Sequence, residues 1–301
     1  MKQFTAANVP DQTGKTIFIT GANTGLGFEA AKVLAGKGGR VIIGCRAKKK
    51  AEAARSNIRS EHRAAEVEIV ELDLGSLASV RKAAAEVAKE SRLDLLINNA
   101  GIMIPPYELT SDGFESQFGV NHLGPFALTG LLLEKLRATP GARIVSTASI
   151  AHKQGRIRFD DINAEQGYNA MLRYAMSKIA NLYFAYELQR RLTAAGDATL
   201  SVAAHPGIAN TELSRYLPRA LMFFTPVFER FFNTPAEGAW PTLCAATNAD
   251  VRGGEYYGPC KRRETAGPAV RVDSSRRSHD PTVAAKLWAL SIEMTGVDPG
   301  V

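Results

Sequence analysis

Cysteines and long apolar runs are scarce in this 301-residue chain. Its three cysteines, Cys45, Cys244 and Cys260, are an odd number at spacings that suit neither a disulfide framework nor a zinc site. No run approaches the roughly eighteen apolar residues of a membrane-spanning helix, and residues 1–10 carry no apolar core of signal-peptide length. These absences predict a protein without a transmembrane span in a reducing, cytoplasmic compartment.

The sequence also lacks internal repeats, low-complexity tracts and any linker rich in proline, glycine or serine. Its composition, 45% hydrophobic and 22% charged, is that of an ordinary globular protein. A chain of this length buries a core without help from disulfides or metals. We therefore expect one domain that spans residues 1–301.

Charge is unbalanced, because 37 lysines and arginines against 30 aspartates and glutamates give a formal net charge of +7. Nucleic-acid binding would need the basic residues to share one face, and single-strand binding would add aromatic rings between them. The basic clusters at 48–50, 261–263 and 276–277 are short, separated and not interleaved with aromatics. Solvated surface explains each cluster, and we expect no nucleic-acid partner.

The first informative stretch is a glycine-rich turn between a strand and a helix. Residues 15–20 predict a short buried strand, and a helical pattern runs from 28 to 35. This is the context of a dinucleotide-binding turn, because a backbone without Cβ can approach a pyrophosphate and a helix N-terminus directs N–H groups at it. The turn residues expected to contact the cofactor are Gly21, Asn23, Thr24, Gly25, Leu26 and Gly27.

A second strand, residues 40–45, ends at Arg46. An acidic residue at this offset from the glycine turn would bind the ribose 2′-hydroxyl of NAD. A guanidinium can instead pair with a 2′-phosphate through two parallel hydrogen bonds. Arg46, with three lysines at 48–50 behind it, therefore favours NADP over NAD. The alternative is a helix that happens to begin with basic residues.

Strands and helices continue to alternate. We predict further strands at 67–72, 93–98, 143–149 and 200–204, and helices at 76–90, 118–137, 174–192, 235–246 and 281–294. This alternation predicts an α/β fold with one doubly wound parallel sheet of about seven strands, helices on both faces, and ligands at the carboxyl ends of the strands. Asp73 follows one such end, either as a helix cap or as an acceptor for the adenine amine.

Two further residues lie four apart inside a predicted helix. Tyr174 and Lys178 therefore share one helix face. A nearby cation favours the phenolate and lowers the pKa of a tyrosine from its free value of about 10. Taken alone, the same spacing usually means one packed ring and one solvated amine, so the pair needs the rest of the chain as support.

Three motifs appear in the order typical of one family. They are the T-G-x-x-x-G-x-G turn from Thr20 to Gly27, N-N-A-G at 98–101, and the Tyr174–Lys178 pair. Over almost the whole chain the sequence resembles the short-chain dehydrogenase/reductase family. The 24 residues between Ser149 and Tyr174, the Cys45-Arg46 strand end and the tail Lys286-Leu287-Trp288 resemble its retinol dehydrogenase-like and WW-domain oxidoreductase branch.

The resemblance implies hydride transfer between a nicotinamide and a carbon that bears a hydroxyl or carbonyl group. Tyr174 would be the general acid in reduction and the general base in oxidation, and Lys178 would favour its phenolate and hold the nicotinamide ribose. Ser149 is the family's match among three hydroxyls near the end of strand 143–149. Asn121 matches a fourth catalytic residue, at a backbone kink that supports a proton-relay water. No metal is implied.

The family also implies a set of cofactor contacts at the strand ends. These residues are Asp73, Leu74, Asn99, Ala100, Gly101, Tyr174, Lys178, Pro206, Gly207, Ile208 and Thr211. His122 is interpreted as a packing or surface residue. Homodimers through the long helices are common in the family, but an extended tail can block those faces, so a homodimer stays open.

The substrate is indicated only by composition and by the resemblance. Residues 220–232 hold five of the thirteen phenylalanines, which fits a lid over an apolar substrate, a peripheral membrane contact, a subunit contact or plain packing. We expect an apolar alcohol, aldehyde or ketone. The competing hypothesis is a nucleotide-binding sensor or scaffold without turnover, which would need the glycine turn and Arg46 but neither Ser149 nor Tyr174.

Overall fold

The computed structural model describes residues 3–208 and 233–301. Eight strands form its central sheet. They are β1 Thr16–Thr20, β2 Arg40–Cys45, β3 Val67–Glu71, β4 Leu95–Asn98, β5 Arg143–Thr147, β6 Leu200–Ala204, β7 Tyr256–Lys261 and β8 Ala266–Val272. The order across the sheet is β3-β2-β1-β4-β5-β6-β7-β8, and β8 alone runs antiparallel to its neighbour.

Helices flank this sheet. The α-helices of the described residues are α1 Gly25–Gly36, α2 Lys48–Glu61, α3 Leu77–Val87, α4 Ser116–Phe118, α5 Gly124–Arg137, α6 Ala170–Ala194, α7 Pro235–Gly238, α8 Trp240–Thr247 and α9 Pro281–Thr295. A π-helix spans Gly119–Leu123, and 3₁₀-helices span Ala6–Asn8, Ile150–Gln154 and Arg276–His279.

The hydrophobic core lies in layers on the two faces of the sheet. Ile17 and Ile19 of β1 pack in the layer with α1 and α2, whereas Phe18 packs in the layer with α3 and α5. All three side chains are fully buried, and each such burial contributes about 1.5–3 kcal/mol. Because both faces are covered, the inner strands β1, β2 and β4 are mainly apolar, whereas the edge strand β3 carries exposed Glu68 and Glu71.

The chain moves outward from β1 through β2 to β3, and then crosses to β4 on the other side of β1. The strand order therefore reverses between β1 and β4. In a doubly wound sheet a crevice opens outside the carboxyl ends of the strands at this reversal. The predicted α/β fold class is confirmed, and the residues that follow β1, β2, β4, β5 and β6 all lie at this edge.

The hairpin of β7 and β8 was not predicted from the sequence. Gly258 and Pro259 lie inside β7, where local patterns indicate a turn. The sheet tolerates this proline beside an irregularity of register between Pro259 and Lys261. The sheet therefore has eight strands where the sequence predicted about seven.

Several boundaries also differ from prediction. Helix α2 was foreseen only as a basic helix start, and β5 ends at Thr147 rather than at residue 149. Helix α6 begins at Ala170, where Asn169 caps it by accepting a hydrogen bond from the Leu172 amide. The segment from 118 to 137, predicted as one helix, is interrupted by the π-helix.

The C-terminal helix α9 packs on α5 and α6. Trp288 contacts Phe126 at 5.2 Å and stacks on Phe184 at 6.0 Å between ring centroids. His122 joins this aromatic cluster, fully buried, with Nε2 3.0 Å from Ser291 Oγ. Of the two interpretations of His122, packing is the correct one, and burial lowers its pKa to about 4.

Candidate active site

The glycine turn follows β1 and packs against the segment that follows β4. Gly21 has φ +69°, and a Cβ there would lie 2.9 Å from the Cα of Ala100. A Cβ at Gly27 would overlap the side-chain amide of Asn99. Both positions need glycine, because any side chain would separate the turn from residues 99–100.

Helix α1 begins inside this turn, and no side chain caps its first backbone N–H groups. Its N-cap residue Thr24 makes no side-chain capping bond, and its first turn holds no acidic residue. The leading N–H groups and the partial positive charge at this terminus therefore remain available to an anionic group. These residues fit a dinucleotide pyrophosphate. Asn23, Gly25 and Leu26 are partly exposed at the same place.

Thr20 fastens the ends of β1 and β4 together. Its buried Oγ1 accepts the backbone N–H groups of Asn99 and Ala100, each at 3.0 Å. Asn99 Nδ2 in turn donates to the Thr20 carbonyl at 2.9 Å. The sequence motifs at Thr20 and at 98–101 are thus two halves of one hydrogen-bonded unit that fixes the floor of the crevice.

Arg46 follows β2 and Asp73 follows β3. The Arg46 side chain is 81% exposed, and its nearest guanidinium nitrogen lies 3.9 Å from Asp73 Oδ2. Asp73 is not the cap of α3, because Ser76 occupies that position and accepts the Ser79 amide. Asp73 Oδ1 instead accepts the Gly75 amide at 2.9 Å. Leu74, which directly follows Asp73, is buried against the start of α5.

The π-helix at Gly119–Leu123 presents Asn121 to the backbone after β4. Asn121 Oδ1 accepts the Ile102 amide at 2.7 Å, and Nδ2 donates to the Ile102 carbonyl at 2.9 Å. Nδ2 also donates to Ser177 Oγ at 2.9 Å. The buried amide is therefore satisfied, as a polar group inside a helix must be. The kink that the family resemblance implied at Asn121 is this π-helix, a feature often found at functional sites.

Ser177 is a site residue that the sequence analysis missed. Its hydroxyl donates to the Tyr174 carbonyl at 2.8 Å while it accepts from Asn121. It thus links the π-helix to the turn of α6 that carries Tyr174. The only signal in the sequence is its place between Tyr174 and Lys178, where a serine in a helix is unremarkable by itself.

Lys178 is buried, with 4% of its surface exposed. Its Nζ lies 3.3 Å from the Thr147 carbonyl at the end of β5 and 5.6 Å from the centre of the Tyr174 ring. A Cβ at Gly101 would lie 3.4 Å from this Nζ and 3.0 Å from Asn121 Oδ1. Helix α6, the π-helix and the residues after β4 and β5 therefore meet at one point.

Ser149 leaves β5 and caps the 3₁₀-helix Ile150–Gln154. Its Oγ accepts the Ala151 amide at 3.2 Å, a bond that leaves the hydroxyl proton available for a substrate oxygen. The other two candidate hydroxyls, on Ser146 and Thr147, are buried in the sheet without a partner among the described residues. Ser149 is thus the hydroxyl at the strand end with access to the crevice.

The turn after β6 is held from two sides. Gly207 has φ +75°, and a Cβ there would overlap the Thr265 carbonyl, which accepts the Ile208 amide at 3.0 Å. Asn233, also missed by the sequence analysis, donates from Nδ2 to the Pro206 carbonyl at 3.1 Å and from its amide to the Ile208 carbonyl at 3.1 Å. Thr211 and residues 220–232 lie outside the described residues.

Across 3–208 and 233–301, no group of three or more His, Cys, Asp or Glu side chains could hold a metal ion. In the same ranges, no helix combines the length and the apolar character that crossing a bilayer requires.

Known proteins resemble this chain over nearly its full length. Human retinol dehydrogenase 14 is 45% identical over 94% of this chain and 87% of that protein, and mouse retinol dehydrogenase 12 is 42% identical over 94% and 87%. A crystal structure of a protein from Mycobacterium paratuberculosis has 43% identity, complete coverage of both chains and a TM-score of 0.84.

The profile of the family described as "short chain dehydrogenase" matches residues 15–221, which is more than half of the chain. The match begins just before β1 and includes the glycine turn, the π-helix, Ser149 and the Tyr174–Lys178 pair. The chain therefore belongs to the short-chain dehydrogenase family, whose members are oxidoreductases that act on CH–OH groups with a nicotinamide dinucleotide.

Proposed function

We propose that this chain is an NADP-dependent oxidoreductase that interconverts an apolar alcohol and its aldehyde or ketone, and that residues 1–301 act as one domain. Its catalytic residues are Asn121, Ser149, Tyr174 and Lys178. One observation carries the proposal: buried Lys178, Asn121 and the end of β5 meet beside Tyr174 at the carboxyl edge of the sheet. The glycine turn after β1 opens at the same edge.

The bound nicotinamide supplies or accepts the hydride. Tyr174 donates a proton to the substrate oxygen during reduction and removes it during oxidation. Lys178, fixed by the Thr147 carbonyl, places a positive charge near the Tyr174 ring and favours its phenolate. Ser149 donates its hydroxyl to the same substrate oxygen, where negative charge develops.

Besides supporting the proton-relay water, Asn121 binds the backbone. Its side chain accepts the Ile102 amide and donates to the Ile102 carbonyl. It also donates to Ser177, one helical turn from Tyr174, and so joins the π-helix to α6. This holds the residues after β4 and the start of α6 at a fixed separation. Preorganisation of this kind is what proton transfer at a defined atom requires.

The proposed preference for NADP depends on Arg46. Its guanidinium is exposed, and the first residues of α2 are three lysines without an acidic neighbour in that turn. An exposed ion pair such as Arg46–Asp73 contributes only about 0–1 kcal/mol, so Arg46 can exchange Asp73 for a 2′-phosphate at little cost. Arg46 and the three lysines that follow β2 are all positive and would attract a 2′-phosphate.

The cofactor proposal is tested by titrating the protein with NADPH and with NADH, following tryptophan fluorescence. We expect NADPH to bind at least tenfold more tightly, a difference of about 1.4 kcal/mol. Arg46→Asp should reverse this order, while Lys49→Ala, which removes one cation of the same turn, should keep it. Tighter binding of NADH by the unaltered chain would defeat the preference but not the enzyme class.

An apolar substrate is supported by the exposed apolar side chains. Among the described residues the large ones are Tyr107, Leu109, Met171 and Leu172. They lie on the segment between β4 and the π-helix and on the first turn of α6, which lead to Asn121 and Tyr174. The matched relatives are retinol dehydrogenases by name, so a retinoid-like alcohol or aldehyde is the first substrate to test.

Turnover distinguishes an enzyme from a nucleotide-binding scaffold. With NADPH at a fixed concentration, oxidation of the cofactor should accelerate with retinaldehyde and with aldehydes of increasing chain length. Tyr174→Phe should abolish this turnover while NADPH still binds, because only the proton donor is lost. Binding of NADPH without turnover of any apolar carbonyl or alcohol would favour the scaffold instead.

We propose a cytoplasmic location, which suits three free thiols.

A further inference from the structure

The turn of the β7–β8 hairpin has an uncommon backbone. Arg262, Arg263 and Glu264 occupy the left-handed region in succession, with φ of +51°, +56° and +67°. Residues with a Cβ adopt this conformation rarely and at a cost in free energy. Such strain persists only where surrounding contacts impose it, and it clusters at functional sites.

Glu264 of this turn lies beside a buried histidine. Glu264 Oε2 and His205 Nε2 lie 3.4 Å apart, a contact longer than an ordinary hydrogen bond, and among the described residues neither atom has a hydrogen-bond partner. His205 is fully buried. The second carboxylate oxygen of Glu264 lies 3.5 Å from Lys153 Nζ, so the carboxylate is held between a ring and an ammonium.

The other nitrogen of His205 determines where the proton lies. Nδ1 accepts the backbone N–H of Gly207 at 3.2 Å, and an amide nitrogen can only donate. The proton of the neutral ring is therefore on Nε2, directed at Glu264. Burial lowers the pKa of His205, and the bond to His205 lowers the pKa of Glu264, so the pair is a neutral imidazole beside a carboxylate.

We propose that Glu264 and His205 are positioning residues for the Pro206–Gly207–Ile208 turn, and that they set its geometry for the nicotinamide end of the cofactor. The Gly207 amide sets the tautomer of His205, and the Glu264 carboxylate faces the protonated Nε2 and holds the ring against that amide. The carbonyl of Thr265, which follows Glu264 in the hairpin, accepts the Ile208 amide. The hairpin turn therefore contacts both His205 and Ile208. This inference rests on the proposed cofactor function.

The test compares two glycine substitutions in the same turn. Glu264→Gly and Arg263→Gly each relieve a left-handed φ, but only Glu264→Gly removes the carboxylate. We expect Glu264→Gly to weaken NADPH binding at least fivefold and to accelerate amide hydrogen exchange at Gly207 at least tenfold in the cofactor-free protein. Arg263→Gly should change both by less than twofold. Urea unfolding of both variants checks that they fold.

Glu264→Gln provides the conservative comparison, because its side-chain oxygen can still accept from Nε2. It should keep Gly207 exchange within threefold of the unaltered chain. The proposal is overturned when Glu264→Gly matches Arg263→Gly in both measurements. Exchange at Gly207 needs no cofactor, so it decides the contact even if the chain binds neither NADPH nor NADH, the result that would defeat the proposed function instead.

Discussion

A single ammonium connects most parts of the candidate site. Lys178 Nζ lies at the Thr147 carbonyl, beside Gly101 and near the Tyr174 ring. A buried charge is expensive unless hydrogen bonds and charge partners compensate it. Its retention in a 4% exposed position therefore favours a chemical role over a packing role.

At the residue scale we predict the effect of removing that charge. Lys178→Met keeps the length of the side chain but should lower kcat by about 10²–10⁴, the range for loss of acid–base assistance. It should also weaken NADPH binding, because the family assigns this lysine to the nicotinamide ribose. Turnover with an apolar aldehyde and NADPH titration are the measurements.

Lys178→Arg is the control for that prediction. It restores a positive charge, but a planar guanidinium does not fit the place of a compact ammonium. It should recover less than a tenth of the lost turnover. If Lys178→Met retained half of the original kcat, the assignment of Lys178 to proton transfer would be wrong.

At the element scale, the residues between Ser149 and Tyr174 are pinned to α6. Arg173 is buried and forms an ion pair with buried Asp161 at 2.6 Å, and its guanidinium also donates to the carbonyls of Asp161 and Ile162. Arg173 directly precedes Tyr174. These 24 residues, 150–173, are thus attached to α6 at the residue beside Tyr174.

Asp161→Ala should therefore lower the free energy of unfolding by about 3–5 kcal/mol, because it leaves a buried guanidinium without its carboxylate. Urea unfolding measures this loss. Asp160→Ala is the matched control, since Asp160 pairs with Arg158 at the surface and both side chains are largely exposed. Equal stability of the two variants would show that the Arg173–Asp161 pair does not anchor residues 150–173.

The same scale shows what sequence patterns can predict. Strands β1, β2 and β4 were predicted because their apolar runs report burial on both faces, a property of the local sequence. The hairpin was missed because Gly258 and Pro259 belong to a strand only through the pairing of β7 with β6 and β8. No local pattern gives the extent of the π-helix, since its Asn121 bonds residue 102 across nineteen positions.

The candidate site divides in the same way. Glycines, Asn99 and Lys178 belong to spaced motifs, so their places followed from the sequence and its family resemblance. Ser177 and Asn233 act through hydrogen bonds to backbone groups of other segments. Ordinary polar residues in such roles have no spacing that marks them, and only the fold reveals them.

At the scale of the whole molecule, buried histidines make stability depend on pH: His205, described above, and also His122 and His152. Burial lowers the pKa of His122 and of His152 from 6.5 to about 4. The unfolded chain therefore binds these protons first as the pH falls. The contribution of these neutral histidines to the free energy of unfolding is fully present above about pH 6.5. It is lost as the pH falls from there to about 4.

His122 and His152 each contribute on the order of 3 kcal/mol to this loss. His122→Phe, which suits its aromatic surroundings, should remove its own contribution of about 3 kcal/mol. His62→Gln, at the end of α2, is the control. Urea unfolding of each protein at a series of pH values tests the prediction, and an unchanged slope for His122→Phe would contradict it.

Assembly is also a property of the whole chain. Helix α9 packs on α5 and α6, the long helices through which the family often dimerises, and buries Leu287 and Trp288 against them. We therefore expect a monomer of 32.4 kDa in sedimentation or light scattering. A stable dimer that Trp288→Arg dissociates would show that α9 forms the subunit contact.

A hydrogen bond from the backbone N–H of Asn233 to the Ile208 carbonyl joins the two residues that flank positions 209–232. Residues 208 and 233 meet at this bond, so the number of residues between them is not set by a distance that the chain must span. Doubling such a length adds only about 0.6 kcal/mol of closure entropy. Exchanging residues 212–232, and so keeping Thr211, for the equivalent stretch of a relative should therefore transfer substrate preference and leave the affinity for NADPH unchanged.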